Sequence, residues 1–180
     1  MPDVGKMRTI KMRVEENSKQ IDLLVDQLVA KYNKDLDELI TEFKELLNQA
    51  KERESEIGNI ELENMTLQLP VSMYFSSGGL ESLGIEGDTS KSIKEEAFSR
   101  VYMVSSGSTV KDKESEAIIS TLSEQMVEIA FSRAYKKLKL QIAQAENIFS
   151  GVKKVLSKRM QEIDINLRDT PIQQRRNYNE

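Results

Sequence analysis

The stretch AYKKLKLQIAQAENIFSGVKKVLSKRMQEI, residues 134–163, decides the fold class of this chain. It contains no proline and only one glycine, and its apolar residues recur in steps of three and four. Residues with this spacing share one face of an α-helix and form the seam of a coiled coil. We therefore predict a long amphipathic helix whose seam contains Tyr135, Leu138, Ile142, Ala145, Phe149, Val152 and Leu156.

A break upstream of this stretch predicts a helical hairpin within residues 89–166. Ser105-Ser106-Gly107-Ser108 ends a helix that is expected to run from about residue 90 to 104. Thr109 and Asp112 then have the spacing of a capping box. From residue 110 to about 165, Gly151 is the one candidate interruption of the second helix. Because roughly 55 helical residues extend about 80 Å, this helix implies a partner helix or another subunit.

The N-terminal region, residues 1–60, carries a second apolar seam that predicts a long helix over residues 18–56. Asn17 or Ser18 is the expected cap at its start, and Gly58 the expected stop. The seam residues are Ile21, Val25, Leu28, Tyr32, Leu36, Leu39, Phe43, Leu46 and Ala50. At the other end of the chain, residues 167–180 are polar and are predicted to form a flexible tail.

Residues 61–88 are predicted to form an extended segment and a loop. From Met65 to Phe75 apolar residues alternate with polar ones or with Pro70, which is the pattern of an edge or irregular strand. Its partner is expected at residues 8–14 or in another subunit. A loop at residues 76–79 and one short turn in 80–87 complete the segment. The predicted fold class is therefore mainly α, with long amphipathic helices in a hairpin and coiled-coil bundle and a short extended β segment.

Composition narrows the classes of function. The chain has no cysteine and no histidine, which excludes disulfides and thiolate catalysis and removes the usual neutral-pH acid and base. We therefore expect a protein that is not an enzyme and needs no cofactor or metal. The sequence has no apolar run of about 18 residues and no secretion signal at its start, so we expect a cytoplasmic location and no membrane span.

The charges of the chain are segregated along the sequence. Residues 61–128 carry twelve acids and five bases, whereas residues 131–160 carry eight bases and one acid. Two interpretations remain open, namely a surface that faces a polyanion and an ordinary solvated helix face. The neighbouring Tyr135 and Phe149 could stack on bases, but both fall on the seam and fit core packing better. The eight candidate phosphate-binding residues are Arg133, Lys136, Lys137, Lys139, Lys153, Lys154, Lys158 and Arg159.

Three segments resemble the UvsY family, the recombination mediators of T-even-type phages: AFSRVYMVSSG (97–107), SEAIISTLSEQ (115–125) and residues 134–163. The resemblance implies an oligomeric helical protein that binds single-stranded DNA. Such a protein helps a recombinase displace single-strand-binding protein and assemble a filament. It also implies DNA contact near Arg100 and Tyr102, although this region is less basic than the family pattern.

The chain departs from that family in having a long extra N-terminal helix and an extended segment. The alternative function is a phage-encoded protein-interaction module, an inhibitor or an assembly scaffold that works through coiled-coil contacts. In either case the chain is expected to form a homo-oligomer. If the protein is phage-encoded, the expected location is the host cytoplasm.

Overall fold

A computed structural model describes the backbone of residues 4–177 and the side chains of residues 11–166. Over this range the chain forms four helices, and no strand is present: α1 (Val4–Glu52), α2 (Asn59–Val104), α3 (Val110–Ser120) and α4 (Leu122–Asn177). The mainly α prediction is confirmed, and the arrangement is consistent with a helical bundle. The short β segment is not found.

The predicted strand at residues 65–75 is wrong, because this segment lies inside α2. Burial along α2 recurs every seven residues rather than every second residue, at Leu62, Leu69, Ser76, Leu83 and Ser90. Leu67, Val71 and Phe75, which the alternation placed on a buried face, are exposed. The alternation misled because two of the five core positions in the true repeat are serines, which apolar periodicity does not detect.

The predicted loop at residues 76–79 and the predicted helix start near residue 90 are also wrong. The hydroxyls of Ser82, Thr89 and Ser92 each donate to the carbonyl oxygen four residues earlier, at 3.2, 2.9 and 3.1 Å. Such bonds satisfy the hydroxyl within a helix instead of capping a new one. Residues that favour turns and caps in isolation therefore continue α2 without a break.

The first helix is longer at its start than predicted and shorter at its end. It begins at Val4 rather than near residue 18, so the predicted partner strand at residues 8–14 is helical. Met12 and Val14 are exposed, so the alternation there does not mark a buried face. The helix ends at Glu52, and a turn over residues 53–58, in which Glu54 has a φ of 49°, leads to α2.

The hairpin break and its capping box are confirmed. The Thr109 hydroxyl accepts a hydrogen bond from the Asp112 backbone at 3.1 Å, and the Asp112 carboxylate accepts one from the Thr109 backbone at 3.1 Å. The helix that follows is interrupted at Thr121, not at Gly151, and the Thr121 hydroxyl donates to the Ala117 carbonyl at 2.9 Å. The backbone of α4 then stays helical to Asn177, through residues 167–177 of the predicted tail. Residues 178–180 lie outside the described range.

The chain divides into two compact units, each built from parts of α1, α2 and α4. Unit 1 contains the chain up to Lys34 and the segment Phe75–Leu140, and unit 2 contains Asp35–Tyr74 and the chain from Gln141 onwards. The core of unit 2 is mainly large and aliphatic: Leu36, Ile40, Leu62, Met65, Leu69, Ile142, Ala145 and Val152. These residues include several that the α1 and α4 seams predicted to be buried.

The core of unit 1 combines aliphatic and small residues. The buried aliphatic residues are Ile21, Val25, Val29, Leu83 and Leu138, and the buried small residues include Ser76, Gly79, Ser90, Ala117, Ala130 and Ala134. A Cβ atom added at Gly79 would lie 2.4 Å from the Cβ of Tyr32, so α1 and α2 approach closely there. Beside this contact the buried Ser76 hydroxyl donates to the Asn33 side-chain oxygen at 3.3 Å. The seam prediction for α1 missed Asn33, together with Val29 and Ile40.

Candidate nucleic-acid interface

All eight predicted phosphate-binding residues lie on α4, and four of them belong to unit 1. Two of those four pair with acids of α1: Arg133 with Asp22 at 3.5 Å and Lys137 with Asp26 at 2.8 Å. The acids are one helical turn apart on α1, as the cations are on α4, so the two pairs match in register. Their side chains are about half exposed or more, and such surface pairs contribute about 0–1 kcal/mol each. An external phosphate could therefore replace either acid.

The other two candidate phosphate-binding residues of unit 1 are Lys136 and Lys139. Both side chains are exposed. Among the described residues neither has an ion-pair or hydrogen-bond partner. Of the four candidate bases in unit 1, these two are therefore available to an external anion without breaking a contact among the described residues.

Arg159 in unit 2 has a structural role. Its guanidinium donates to the Ile57 carbonyl at 2.8 Å and to the Asn59 side-chain oxygen at 2.5 Å, and it pairs with Glu56 at 2.7 Å. The side chain is only 19% exposed. These contacts hold the turn between α1 and α2 against α4, and they leave the guanidinium little capacity for a phosphate.

The remaining cations of unit 2 differ in their surroundings. Lys158 forms an exposed pair with Glu162 at 3.7 Å, one turn away on α4. The Lys153 ammonium lies 5.2 Å from the centre of the Phe149 ring, within the range of a cation–π contact. Phe149 is half-buried, so Lys153 covers part of the ring that could otherwise stack on a base. Lys154 is exposed and has no partner among the described residues.

The two candidates on α2 also have partners within the helix. Arg100 pairs with Glu96, one turn earlier, at 2.6 Å. The Tyr102 ring stacks on Phe98, with centroids 6.2 Å apart and an interplanar angle of 15°. Tyr135 is half-buried, as its seam position predicted. Stacking on Phe98 therefore leaves one face of the Tyr102 ring covered.

Sequence reasoning missed an apolar groove in unit 1, with a volume of about 590 Å³. It is lined by Ile85, Glu86, Thr89, Ser90 and Ile93 of α2 and by Ser123, Glu124, Val127 and Phe131 of α4. The helical spacing of Ile85, Thr89 and Ile93 was the available signal. This spacing was not used, because residues 80–87 were predicted to form a turn and a new helix was predicted to start near residue 90, which separated Ile85 from Ile93.

Carboxylates supply the charge at this groove. A hydrogen bond from the Ser123 hydroxyl, at 2.7 Å, holds the pKa of Glu124 below its ordinary value, so Glu124 is ionised at neutral pH. Glu86 accepts from the Tyr32 hydroxyl at 3.2 Å and pairs with Lys31 at 3.3 Å. The hydrogen bond with Tyr32 and then that with Glu86 raise the pKa of Lys31.

Within residues 4–177 no helix has a stretch apolar enough to span a lipid bilayer. The described residues also contain no cluster of three or more side chains of the metal-binding types placed to hold an ion. Comparison of the chain with protein-family models, curated proteins and solved structures finds no match. The resemblance to the UvsY family therefore rests on the three segments quoted above.

Proposed function

We propose that the protein is a non-enzymatic, single-stranded DNA-binding recombination mediator that helps a recombinase load onto single strands. The supporting observation is that Lys136 and Lys139 in unit 1 and Lys154 in unit 2 are exposed and have no partner among the described residues. Free ammonium groups on a helix neutralise backbone phosphates without reading bases. Binding is therefore expected to be insensitive to sequence and sensitive to salt.

The contacts inside the chain reduce the ten candidate residues to a smaller set. Arg159 holds the α1–α2 turn, Tyr102 is stacked on Phe98, and Lys153 lies over the Phe149 ring. Arg133, Lys137, Lys158 and Arg100 have carboxylate partners at the surface, which a phosphate could replace. Lys136, Lys139 and Lys154 are therefore assigned the primary phosphate contacts. We propose a recombinase and a single-strand-binding protein as partners because the UvsY resemblance implies them.

The test is a titration of a fluorescent thymidine oligonucleotide, followed by anisotropy at several salt concentrations. Each phosphate contact on a single strand contributes about 0.7 to the slope of log affinity against log salt. The Lys136→Ala/Lys139→Ala variant should therefore reduce the steepness of that slope by about 1.4, and Lys154→Ala by about 0.7.

The matched control is Lys44→Ala/Lys51→Ala, which removes the same charge from two exposed positions on α1. The control should leave the slope close to that of the wild type. A folded Lys136→Ala/Lys139→Ala variant with unchanged affinity and slope would show that these lysines do not contact DNA.

A second candidate function, a protein-interaction module, is favoured by the ion pairs of α4. Four of the eight candidate bases on this helix pair with carboxylates of the same chain: Arg133, Lys137, Lys158 and Arg159. Three of those acids lie outside α4, so the charge segregation of the sequence serves in part to join helices. If the folded wild type has no measurable affinity for single strands at low salt, this second function is the better one.

Self-association is proposed with either function. At the hairpin end of unit 1 several large apolar side chains are exposed: Met103, Val104, Val110, Ile118 and Ile119. Large exposed apolar side chains that are close in sequence on both sides of a turn favour an interaction surface there. Sedimentation of the wild type and of Ile119→Asp tests this proposal. A wild type that remains monomeric at micromolar concentration would exclude self-association at that concentration.

A further inference from the structure

The apolar groove of unit 1 presents two parallel rows of side chains. One row follows α2 through Ile85, Thr89 and Ile93, and the other follows α4 through Ser123, Val127 and Phe131. Residues four apart lie on the same face of a helix, so each row is about 12 Å long. Ile85, Ile93 and Val127 are 62, 54 and 37% exposed, respectively, although they belong to a packed unit. The groove thus offers apolar surface over two helical turns.

The charge at the groove has one sign. Its lining contains two carboxylates, Glu86 and Glu124, and neither lysine nor arginine. Lys31 pairs with Glu86 from α1, whereas no lysine or arginine among the described residues pairs with Glu124. On the neighbouring surface Glu128 is paired with Lys94 at 2.7 Å. Glu124 therefore supplies an uncompensated negative charge beside the apolar floor.

We propose that this groove binds an amphipathic helix of a partner protein whose apolar face is flanked by lysine or arginine. An amphipathic helix recognises a hydrophobic groove through side chains at positions i, i+3 or i+4, and i+7, a span that matches the two rows. A basic flank complements Glu124, whereas an acidic helix would place like charges together. The groove thereby gives the second candidate function a binding site and a class of partner.

The proposed groove site is separate from the proposed DNA contacts, because Lys136, Lys139 and Lys154 do not line the groove and its uncompensated carboxylate, Glu124, repels phosphates. The two activities are therefore separable by mutation. Variants of the groove should keep the affinity of the protein for single strands, and variants of the lysines should keep its affinity for a helix.

The experiment uses two synthetic peptides of about 20 residues, a length at which helices become stable in water. Both carry leucines at the same helical spacing. One has lysines on the remaining positions and the other has glutamates. Fluorescence anisotropy of each labelled peptide with the full-length protein should show binding of the leucine–lysine peptide and about tenfold weaker binding of the leucine–glutamate peptide, because attraction to Glu124 in the first complex is replaced by repulsion in the second.

Variants locate the binding site. Val127→Glu changes an apolar residue of the groove, and Leu140→Glu is its control because Leu140 is an exposed apolar residue of α4 outside the lining. Glu124→Lys reverses the charge of the groove, and Glu114→Lys reverses an exposed acid of α3. Each groove variant should lower the affinity for the leucine–lysine peptide by about tenfold, the effect of losing one favourable contact, and each control by less than about threefold.

Several outcomes would overturn the inference. Equal binding of the two peptides would show that the groove does not select a helix flanked by lysine or arginine. An equal loss of affinity in Leu140→Glu and Val127→Glu would show that the peptide binds outside the groove. If sedimentation shows that the wild type is an oligomer and Val127→Glu a monomer, a second copy of the chain occupies the groove instead. Helix content and melting temperature of every variant, measured by circular dichroism, separate lost binding from lost folding.

Discussion

Replacing Gly79 with alanine should destabilise the protein, although alanine is the better helix former. Gly79 is buried in α2, and a Cβ atom there would lie 2.4, 2.8 and 3.0 Å from the Cβ, Cγ and Cδ1 atoms of Tyr32. Ordinary contacts between carbon atoms are about 3.5–4.0 Å. The first of these atoms is the root of the tyrosine side chain, so rotation of the ring does not relieve the clash. The backbones of α1 and α2 must move apart instead.

Gly78 offers a matched control, because a Cβ added there meets no atom within 4 Å. Alanine in place of glycine in a helix contributes about 1 kcal/mol of stability through backbone entropy at either position. Overpacking at Gly79 costs about 1–3 kcal/mol. Because the propensity gain is the same in both variants, Gly79→Ala should be less stable than Gly78→Ala by about 1–3 kcal/mol.

The assay is thermal and urea unfolding of both variants and the wild type, followed by circular dichroism. For a chain of this size 1 kcal/mol shifts the melting temperature by about 2–4 °C, so the two variants should differ by roughly 2–12 °C. Gly78→Ala should melt above the wild type. If Gly79→Ala melts at or above Gly78→Ala, the close approach of α1 and α2 at Tyr32 is refuted.

Three further predictions concern α2, the hairpin and the α1–α2 turn. Pro70→Ala should raise the midpoint of urea unfolding and the helix content, because a proline inside a helix costs about 3 kcal/mol; an unchanged midpoint would contradict a helix there. Thr109→Ala should lower the free energy of unfolding, measured by urea titration, by about 1 kcal/mol because the N-cap of α3 is lost. Hydrogen bonds from Thr109 and then from Ser108 hold the pKa of Asp112 below its ordinary value. The contribution of Asp112 to stability is therefore complete above about pH 4 and is lost as the pH falls through the depressed pKa. The free energy of unfolding of Asp112→Asn, measured against pH, should lack this component. Arg159→Ala should lower the free energy of unfolding by about 1.5–3 kcal/mol, because the guanidinium holds three groups of the α1–α2 turn. The control Lys158→Ala, which changes an exposed neighbour, should alter it by less than about 0.5 kcal/mol. Similar losses in the two variants would refute the structural role of Arg159.

The parts of the fold that local sequence dictates were predictable. The capping box at Thr109 and Asp112 satisfies its hydrogen bonds within four residues, so its outcome depends little on the rest of the chain. The α4 seam is marked by large apolar residues at helical spacing, and Leu138, Ile142 and Val152 are buried. In both cases the signal lies in residue types whose preference is strong and local.

The prediction failed in α2 because tertiary packing overrode local preference. Ser76, Gly79 and Ser90 are residues that favour loops and caps, yet they occupy the buried face of a helix. At Gly79 the reason is that α1 approaches too closely for a side chain, and at Ser76 the hydroxyl is satisfied by Asn33 of α1. Apolar periodicity has no means of detecting a core made of small residues, so the exposed Leu67 and Val71 produced a false strand pattern.

In the candidate interface, too, some properties follow from local sequence and others only from tertiary contacts. The sequence identifies the eight candidate bases of residues 131–160, but whether several of them have a partner depends on acids distant in the chain. Asp22 and Asp26 reach Arg133 and Lys137 across 111 residues of sequence, and Glu56 reaches Arg159 across 103. The matching one-turn spacing of Asp22 and Asp26 was a usable signal for the first two pairs. Nothing local distinguished Lys136, which is without a partner among the described residues, from Lys137, which has one.

The sequence by itself determined that this protein is helical, where its hairpin turns, which face of α4 is buried and that residues 131–160 of α4 are rich in bases and poor in acids. These properties follow from spacing, capping and charge, which act over a few residues. The tertiary structure alone decided that α2 is continuous, which cations remain available and that an apolar groove lies between α2 and α4. These properties arise when helices from distant parts of the chain meet, because only then do small side chains become core residues and acids become partners of particular bases.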